Sequence, residues 1–246
     1  MSKKLSIITV VYNGEKYIES AIKSVLHQKT SEIEYIIVDG LSTDETMKIV
    51  NKYQDQIDII VSESDQGIYD AMNKGVRHAS GEYVVFLNSD DYYNDGLIRS
   101  CLEQIYYNPD VVITNTLIKS EKEEKLFKRI EYKEKYKLYL QIPFMHPSVV
   151  IKRTIFNELG GFDLNYKIAS DCDFLLKMIS KVNVFCYIND CVVMRVGGIS
   201  DSSFKQGRKE YRVIYSKFSG SKLKAWKGYF ESMLFYRLHK MMQVVK

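Results

Sequence analysis

A chain of 246 residues with 46% apolar residues can bury one sizeable α/β core, and its composition excludes a disordered or disulfide-stapled class. No apolar run is long enough to suit a membrane-spanning helix. The net charge of +4 is unevenly held: from Lys205 onward eleven Lys or Arg face only Glu210 and Glu231, so residues 1–204 carry −5.

The run Leu5 to Tyr12 is a predicted strand closed by Asn13-Gly14, and it follows Met-Ser-Lys-Lys without a leader-like segment. The expectation is a cytoplasmic protein. A helix is predicted over 15–28, with Tyr17, Ile18, Ala21, Ile22, Val25 and Leu26 on one face. Glu34 to Val38 is a second strand ending at Asp39-Gly40, and a second helix opens at Ser42-Thr43-Asp44-Glu45. Ile57 to Val61 is a third strand, running into the polar loop that contains Asp65; a helix over about 69–79 follows. Tyr83 to Leu87 is a fourth strand, apolar at every position, that stops at Asn88-Ser89-Asp90-Asp91.

Strand and helix alternating at this pitch predict an α/β fold with a doubly wound, mostly parallel sheet and right-handed crossovers. Parallel strands end at one edge, so Asn13, Asp39, Asp65, Asp90 and Asp91 converge there, where open α/β sheets bind ligands. Adjacent carboxylates at a buried edge need a cation or hydrogen-bond donors. Mg²⁺ or Mn²⁺ shared with phosphate oxygens meets that need, although a solvated Asn-Ser-Asp turn has the same composition. Neither Gly-x-Gly-x-x-Gly nor Gly-x-x-x-x-Gly-Lys-Ser/Thr occurs, which disfavours a dinucleotide-binding dehydrogenase and a P-loop NTPase.

Beyond the fourth strand, 95–108 reads as a helix, 111–114 as a strand and 119–137 as a charge-rich hairpin or loop. His146 stands between two prolines, and Ala169-Ser170-Asp171-Cys172-Asp173 opens an amphipathic helix. The cysteines (101, 172, 186, 191) read as buried free thiols, and the four histidines lack metal-ligand spacing. The stretch 221–246 mixes Lys and Arg with aromatic and apolar residues, as an interfacial helix on an anionic membrane does; a helix packed on the core has the same pattern.

Ile8-Thr9-Val10-Val11-Tyr12-Asn13, Val38-Asp39-Gly40-Leu41-Ser42-Thr43-Asp44, Leu87-Asn88-Ser89-Asp90-Asp91, Gly160-Gly161-Phe162-Asp163 and Ser170-Asp171-Cys172-Asp173 stand in an order that resembles the GT-A-fold, family 2 glycosyltransferases. Ser64 through Gly75 looks like the subgroup that builds bacterial surface polysaccharides. The resemblance implies a metal-dependent, inverting transfer from a nucleotide sugar, UDP-linked by preference, to a saccharide or polyprenyl-diphosphate-linked acceptor. It implies a domain over 1–204, its nucleotide-binding half at about 1–95 and its acceptor half at about 96–204, with 205–246 as a basic helical extension. Thr9 and Tyr12 would line the base pocket, Asp39 would accept from the base, and Asp65 would border it. Asp90 and Asp91 would serve the metal, Asp90 also the nucleotide, and Asn88 replaces the first acid of a common Asp-x-Asp-Asp form. Asp171 matches the general base, with Ser170 where the family usually has Glu. Asp173 is a lesser candidate for that role, and His146 and Asp173 are candidates for acceptor or diphosphate contact. A sugar nucleotidyltransferase would need a glycine-rich basic loop that is not seen, and a non-catalytic binding module would not need Asp171. The acidic edge disfavours nucleic acid.

Overall fold

The computed structural model describes residues 3–120, 123–127, 145–182, 184–198, 203–223 and 225–226. Strand β1 (Leu5–Val11) lies at the centre of a mixed sheet. It pairs in parallel with β2 (Ile33–Asp39) and β4 (Tyr83–Asn88), and β2 pairs in parallel with β3 (Ile59–Ser62). Every residue of β1 and β2 is buried, because both faces are covered by helices.

One face of this parallel half packs on α1 (Ile18–Leu26), α2 (Thr46–Asn51) and α4 (Leu97–Ile105), through Ile22, Val25, Val50 and Ile98 among others. The opposite face packs on α3 (Ile68–His78), α5 (Arg153–Glu158) and α6 (Ser170–Lys181). There Phe86, Phe156, Phe162 and Phe174 form a ring cluster with centroids 4.8–5.7 Å apart. The expected doubly wound half is therefore present, with the four strands ending at one edge.

Parallel pairing stops at β4. Strand β8 (Val149–Lys152) runs antiparallel to β4 and to β6 (Val111–Lys119). Strand β9 (Phe185–Arg195) runs parallel to β6, β5 (Tyr92–Tyr93) is antiparallel to β9, and β7 (Glu124–Phe127) makes a hairpin with β6. Two reversals return β6 and β9 to the direction of β4. The end of β9 and the start of β8 thus lie at the edge where β4 ends, and this brings Arg195 and His146 to the acids.

Gly75 shows how closely α3 lies on the sheet, since a methyl group there would overlap the buried Ile8 side chain. We expect Gly75→Ala to lower stability by about 1–3 kcal/mol, measured by denaturant unfolding, as overpacked cores do. An unchanged midpoint would mean that the helix can lift off β1 at little cost.

The stretch expected as a basic extension from residue 205 opens with a helix that packs on α6. Helix α7 (Phe204–Ser219) lays Ile214, Tyr211, Tyr215 and Phe218 on Ala169, Cys172 and Leu176, a small apolar cluster beside the two layers of the sheet. Its inward face is apolar at helical spacing, whereas Lys205, Lys209 and Lys217 lie outside. Of the interfacial segment expected over 221–246, only 221–223 and 225–226 are described; the remainder, like most of the 119–137 hairpin, lies outside the described residues. Cys101 and Cys172 are buried thiols as expected, but Cys186 and Cys191 are half-buried; none of the four forms a disulfide.

Candidate functional site

The turn after β4 carries the acids. Asp91 is 1% exposed, and its two oxygens accept from the Arg195 backbone N–H (3.0 Å) and from Asn88 Nδ2 (2.9 Å). Burial and then the neighbouring Asp90 charge push the Asp91 carboxyl up to about 7, against the pull of those donors. Burial also raises Asp90, with Arg195 and His146 opposing. The Asp90 carboxylate accepts no hydrogen bond from another side chain among the described residues, and it lies toward Gly198, where an added Cβ would stand 3.3 Å from Oδ2. Glycines at 197 (φ 103°) and 198 let the chain after β9 pass this close.

Arg195 fixes the turn from the far end of the chain. Its guanidinium donates to the Asp90 carbonyl and to Ser20 Oγ, and it is stacked between the rings of Tyr17 and Tyr92 at 4.8 and 4.6 Å. A separate groove of about 750 Å³ between α1 and residues 92–95 touches Ser20 and Tyr92 and contains none of the acids of the edge.

On the other side stands Asp171, in the first turn of α6 and one-fifth exposed. Its Oδ1 accepts from the Cys172 amide and from the Tyr69 hydroxyl, both at 2.9 Å; the same hydroxyl lies 2.8 Å from the Ile168 carbonyl. Burial, and next the Asp171 charge, hold the Tyr69 phenol well above its ordinary value, so it stays a donor. His146 connects the two sides, with Nδ1 3.3 Å from Asp171 Oδ2 and Nε2 3.2 Å from Asn88 Oδ1. Because Asn88 Nδ2 donates to Asp91, the Asn88 oxygen faces His146, and His146 Nε2 carries the proton of that bond. One line of contacts thus runs from Tyr69 through Asp171, His146, Asn88 and Asp91 to Arg195, and its His146–Asp171 step is a hydrogen bond when the imidazole carries both protons.

The remaining expected residues divide. Tyr12 is 64% exposed at the end of β1, and its ring lies against Gly40 with the Asp65 carboxylate on the same glycine. These three form a rim with an open aromatic face. Thr9 does not reach it: it is fully buried and accepts from the Tyr35 hydroxyl at 3.1 Å inside the sheet–α1 layer. Its place in a strand whose alternate residues face opposite layers decides this. Asp39 is also fully buried, accepting from the Ser42 amide and Ser62 hydroxyl, so in this form it braces the 40–43 loop and presents no atom to a base. Asp173 turns away from the acids to pair with Lys177 and Lys217, the latter from α7, and an acceptor or diphosphate role does not fit that direction. Lys74, its side chain only 11% exposed, pairs with Glu63 at 2.8 Å and donates to the Ser64 carbonyl. Arg195, Tyr69 and Glu210, described below, escaped the sequence reading; the glycines after Arg195 were the one local signal near it.

The donor set suits a hard divalent cation used together with a phosphate-bearing ligand. Two adjacent carboxylates supply oxygen ligands, one raised by burial and one unclaimed by side chains, and no group of three or more His, Cys, Asp or Glu forms a self-sufficient cage among the described residues.

Comparison with known proteins bears on the same edge. A family model described as "Glycosyl transferase family 2" matches residues 6–174. A PGL/p-HBAD biosynthesis glycosyltransferase of Mycobacterium bovis is 29% identical over 207 residues, covering 82% of this chain and 76% of that protein. The poly(ribitol-phosphate) beta-N-acetylglucosaminyltransferase TarS of Staphylococcus aureus is 38% identical over 101 residues, 39% of this chain and 18% of its own. In fold, the chain superposes on a TarS 1–349 complex with UDP-GlcNAc at a TM-score of 0.69 (21% identity, 93% of this chain, 71% of that one). It also superposes on a mannosyltransferase of Pyrobaculum calidifontis bound to GDP-Man and Mn²⁺ at 0.65 (18% identity, 89% and 64%).

Proposed function

The chain belongs to glycosyl transferase family 2, and from that premise we propose that it transfers a sugar, with inversion, from a UDP-sugar to a hydroxyl of a saccharide or lipid-linked acceptor during bacterial surface-polysaccharide assembly. The observation that carries this reading is the line of contacts joining Asp171 to the acid turn through His146 and Asn88. In this reading a carboxylate that can take a proton stands on one side of the cleft, and on the other a carboxylate pair that, with a divalent cation, would hold a diphosphate.

The residues divide the work as follows. Tyr12 offers its exposed ring to the base, with Asp65 beside it. Asp90, the open carboxylate, would hold a Mn²⁺ or Mg²⁺ directly, while Asp91, held by Arg195 and Asn88, fixes the turn. The cation, when bound, neutralises charge on the departing nucleoside diphosphate. Asp171 Oδ2 takes the acceptor hydroxyl's proton as that oxygen attacks the anomeric carbon from the face opposite the leaving group. Tyr69 and the Cys172 amide hold the carboxylate through Oδ1, and His146 holds it against the turn. Contact with an anionic membrane through 221–246, at the inner face of the cell membrane, completes the proposal; no helix among the described residues is long and apolar enough to cross one.

Thermal unfolding with UDP, GDP, CMP or ADP, each with and without Mn²⁺, tests the donor side. A ligand that binds only the folded protein at one hundred times its Kd stabilises it by about 2.7 kcal/mol. We expect a melting shift of several degrees that needs UDP and Mn²⁺ together. A shift with another nucleotide would replace the donor assignment, and none with any would sink the nucleotide-sugar reading.

A further inference from the structure

Residues after 174 lie outside the family match, yet one of them governs where the proton-accepting carboxylate stands. Glu210, in the second turn of α7, is buried, and its carboxylate points into the loop that enters α6. Oε1 accepts from the Lys167 amide at 3.1 Å, and Oε2 accepts from the amides of Ile168 and Ala169, both at 2.9 Å. Gln206, one turn earlier, braces Oε1 from its side chain at 2.9 Å. Three consecutive N–H groups thus converge on one carboxylate. Ala169 is the N-cap residue of α6, and its own side chain offers no cap to that end. Two residues on is Asp171.

We propose that Glu210 is a positioning residue for Asp171, and that α7 acts as a clamp setting the entry of α6 so that Asp171 faces the acid turn. The inference rests on Asp171 being the base, as argued above. Glu210 touches neither Asp171 nor the acids, so it acts only through the backbone of 167–169. The Ile168 carbonyl, between two clamped amides, also accepts from Tyr69, so the clamp fixes the second partner of the hydroxyl that holds Asp171. Burial pushes the Glu210 carboxyl up, but Gln206 and the three amides outweigh it and hold the group below the usual glutamate value. Its stabilising share is therefore present above the unfolded value of 4.5 and is lost as pH falls through the lower folded value. The clamp stays charged across the neutral range.

The test uses the full chain and three variants: Glu210→Gln, Glu210→Asp and, as a control on packing between the same helices, Lys217→Ala, which removes the pair with Asp173 and the contact over the Phe218 ring. Hydrogen exchange is read on peptides spanning 165–174, together with UDP affinity and UDP release from UDP-GlcNAc with Mn²⁺. For Glu210→Gln we expect exchange at least about tenfold faster over 167–172, including the Cys172 amide held by Asp171, and unchanged exchange in β1 and β2. Turnover should fall about 10- to 100-fold, as small misplacements of catalytic groups do, with UDP affinity unchanged. Glu210→Asp, which keeps the charge, should recover part of the loss, and Lys217→Ala should resemble the parent. Unchanged exchange at 167–172 overturns the proposal. So does acceleration throughout the domain, or a loss of UDP affinity in step with turnover. If the parent releases no UDP from UDP-GlcNAc, GlcNAc is not the sugar it transfers, and the exchange pattern alone decides the clamp.

Discussion

Asp171→Asn should lower turnover by about 10³-fold while leaving UDP affinity within twofold and the melting temperature within a few degrees. The asymmetry follows from how the carboxylate is held. Its Oδ1 accepts from Tyr69 and from the Cys172 amide, and the oxygen of an asparagine can keep both bonds. The shape of the site therefore survives. What is lost is the one atom able to take the acceptor's proton, and general-base catalysis contributes about 10²–10⁴ to rate. Asp171 is far along the chain from the Tyr12 rim and makes no bond to Asp90 or Asp91, so nucleotide affinity has no reason to change. Steady-state turnover beside calorimetric UDP binding gives the answer. Turnover within tenfold of the parent would remove Asp171 from the mechanism and return the protein to a binding role.

Asp91→Asn should move stability and ligand binding in opposite directions. In the metal-free protein the Asp91 carboxyl is held up at about 7, against 3.8 for the unfolded chain. The folded state keeps a proton that the unfolded state releases, so stability is lost as pH rises from about 4 to about 7 and stays low above that. At ~1.4 kcal/mol per pH unit this amounts to roughly 4 kcal/mol. Asparagine removes the buried charge but can accept from only one of the two donors, Arg195 N–H or Asn88 Nδ2, which returns about 1 kcal/mol. In EDTA at pH 8 the variant should thus melt several degrees higher than the parent, with the difference gone near pH 4. The extra shift from UDP with Mn²⁺ should shrink or vanish, because the turn that presents Asp90 is no longer braced as before. A variant no more stable than the parent at pH 8 would mean that the Asp91 charge costs the folded protein little.

The sequence read well where periodicity and chain direction control the outcome. Four apolar runs ending in polar residues implied parallel strands sharing an edge, and Asp90, Asp91, Tyr12, Asp65 and Asp171 do lie at that edge or the cleft beside it. Thr9 failed for a local reason: a strand buried on both faces leaves no polar alternation to say which layer a threonine enters. Asp39 is at the expected strand end, but Ser42 and Ser62 claim its oxygens, and loop hydrogen bonding of that kind leaves no mark on spacing. Asp173 and Glu210 depended on α7, whose Lys and Arg content read as a separate basic tail. The inward Ile214 and Tyr211 repeat is visible only beside its outward lysines. Arg195 was illegible because its neighbours come from α1 and the β5 turn, and a single arginine at the end of a strand predicts neither.

The Arg195 contact also sets an order of events in synthesis. Asp91 is bonded to a residue 104 positions later in the chain. At about 5–20 residues per second, that partner leaves the ribosome roughly 5–20 s after the acids do. Until then the β1–β4 half can pair its strands, since its register is internal, but its two carboxylates have neither the Arg195 amide nor the stacked guanidinium to hold them. A nascent chain therefore carries nearly all of its acidic edge before it can use it. Completion of the last strand, rather than assembly of the β1–β4 half, is the moment at which the acid turn gains its support.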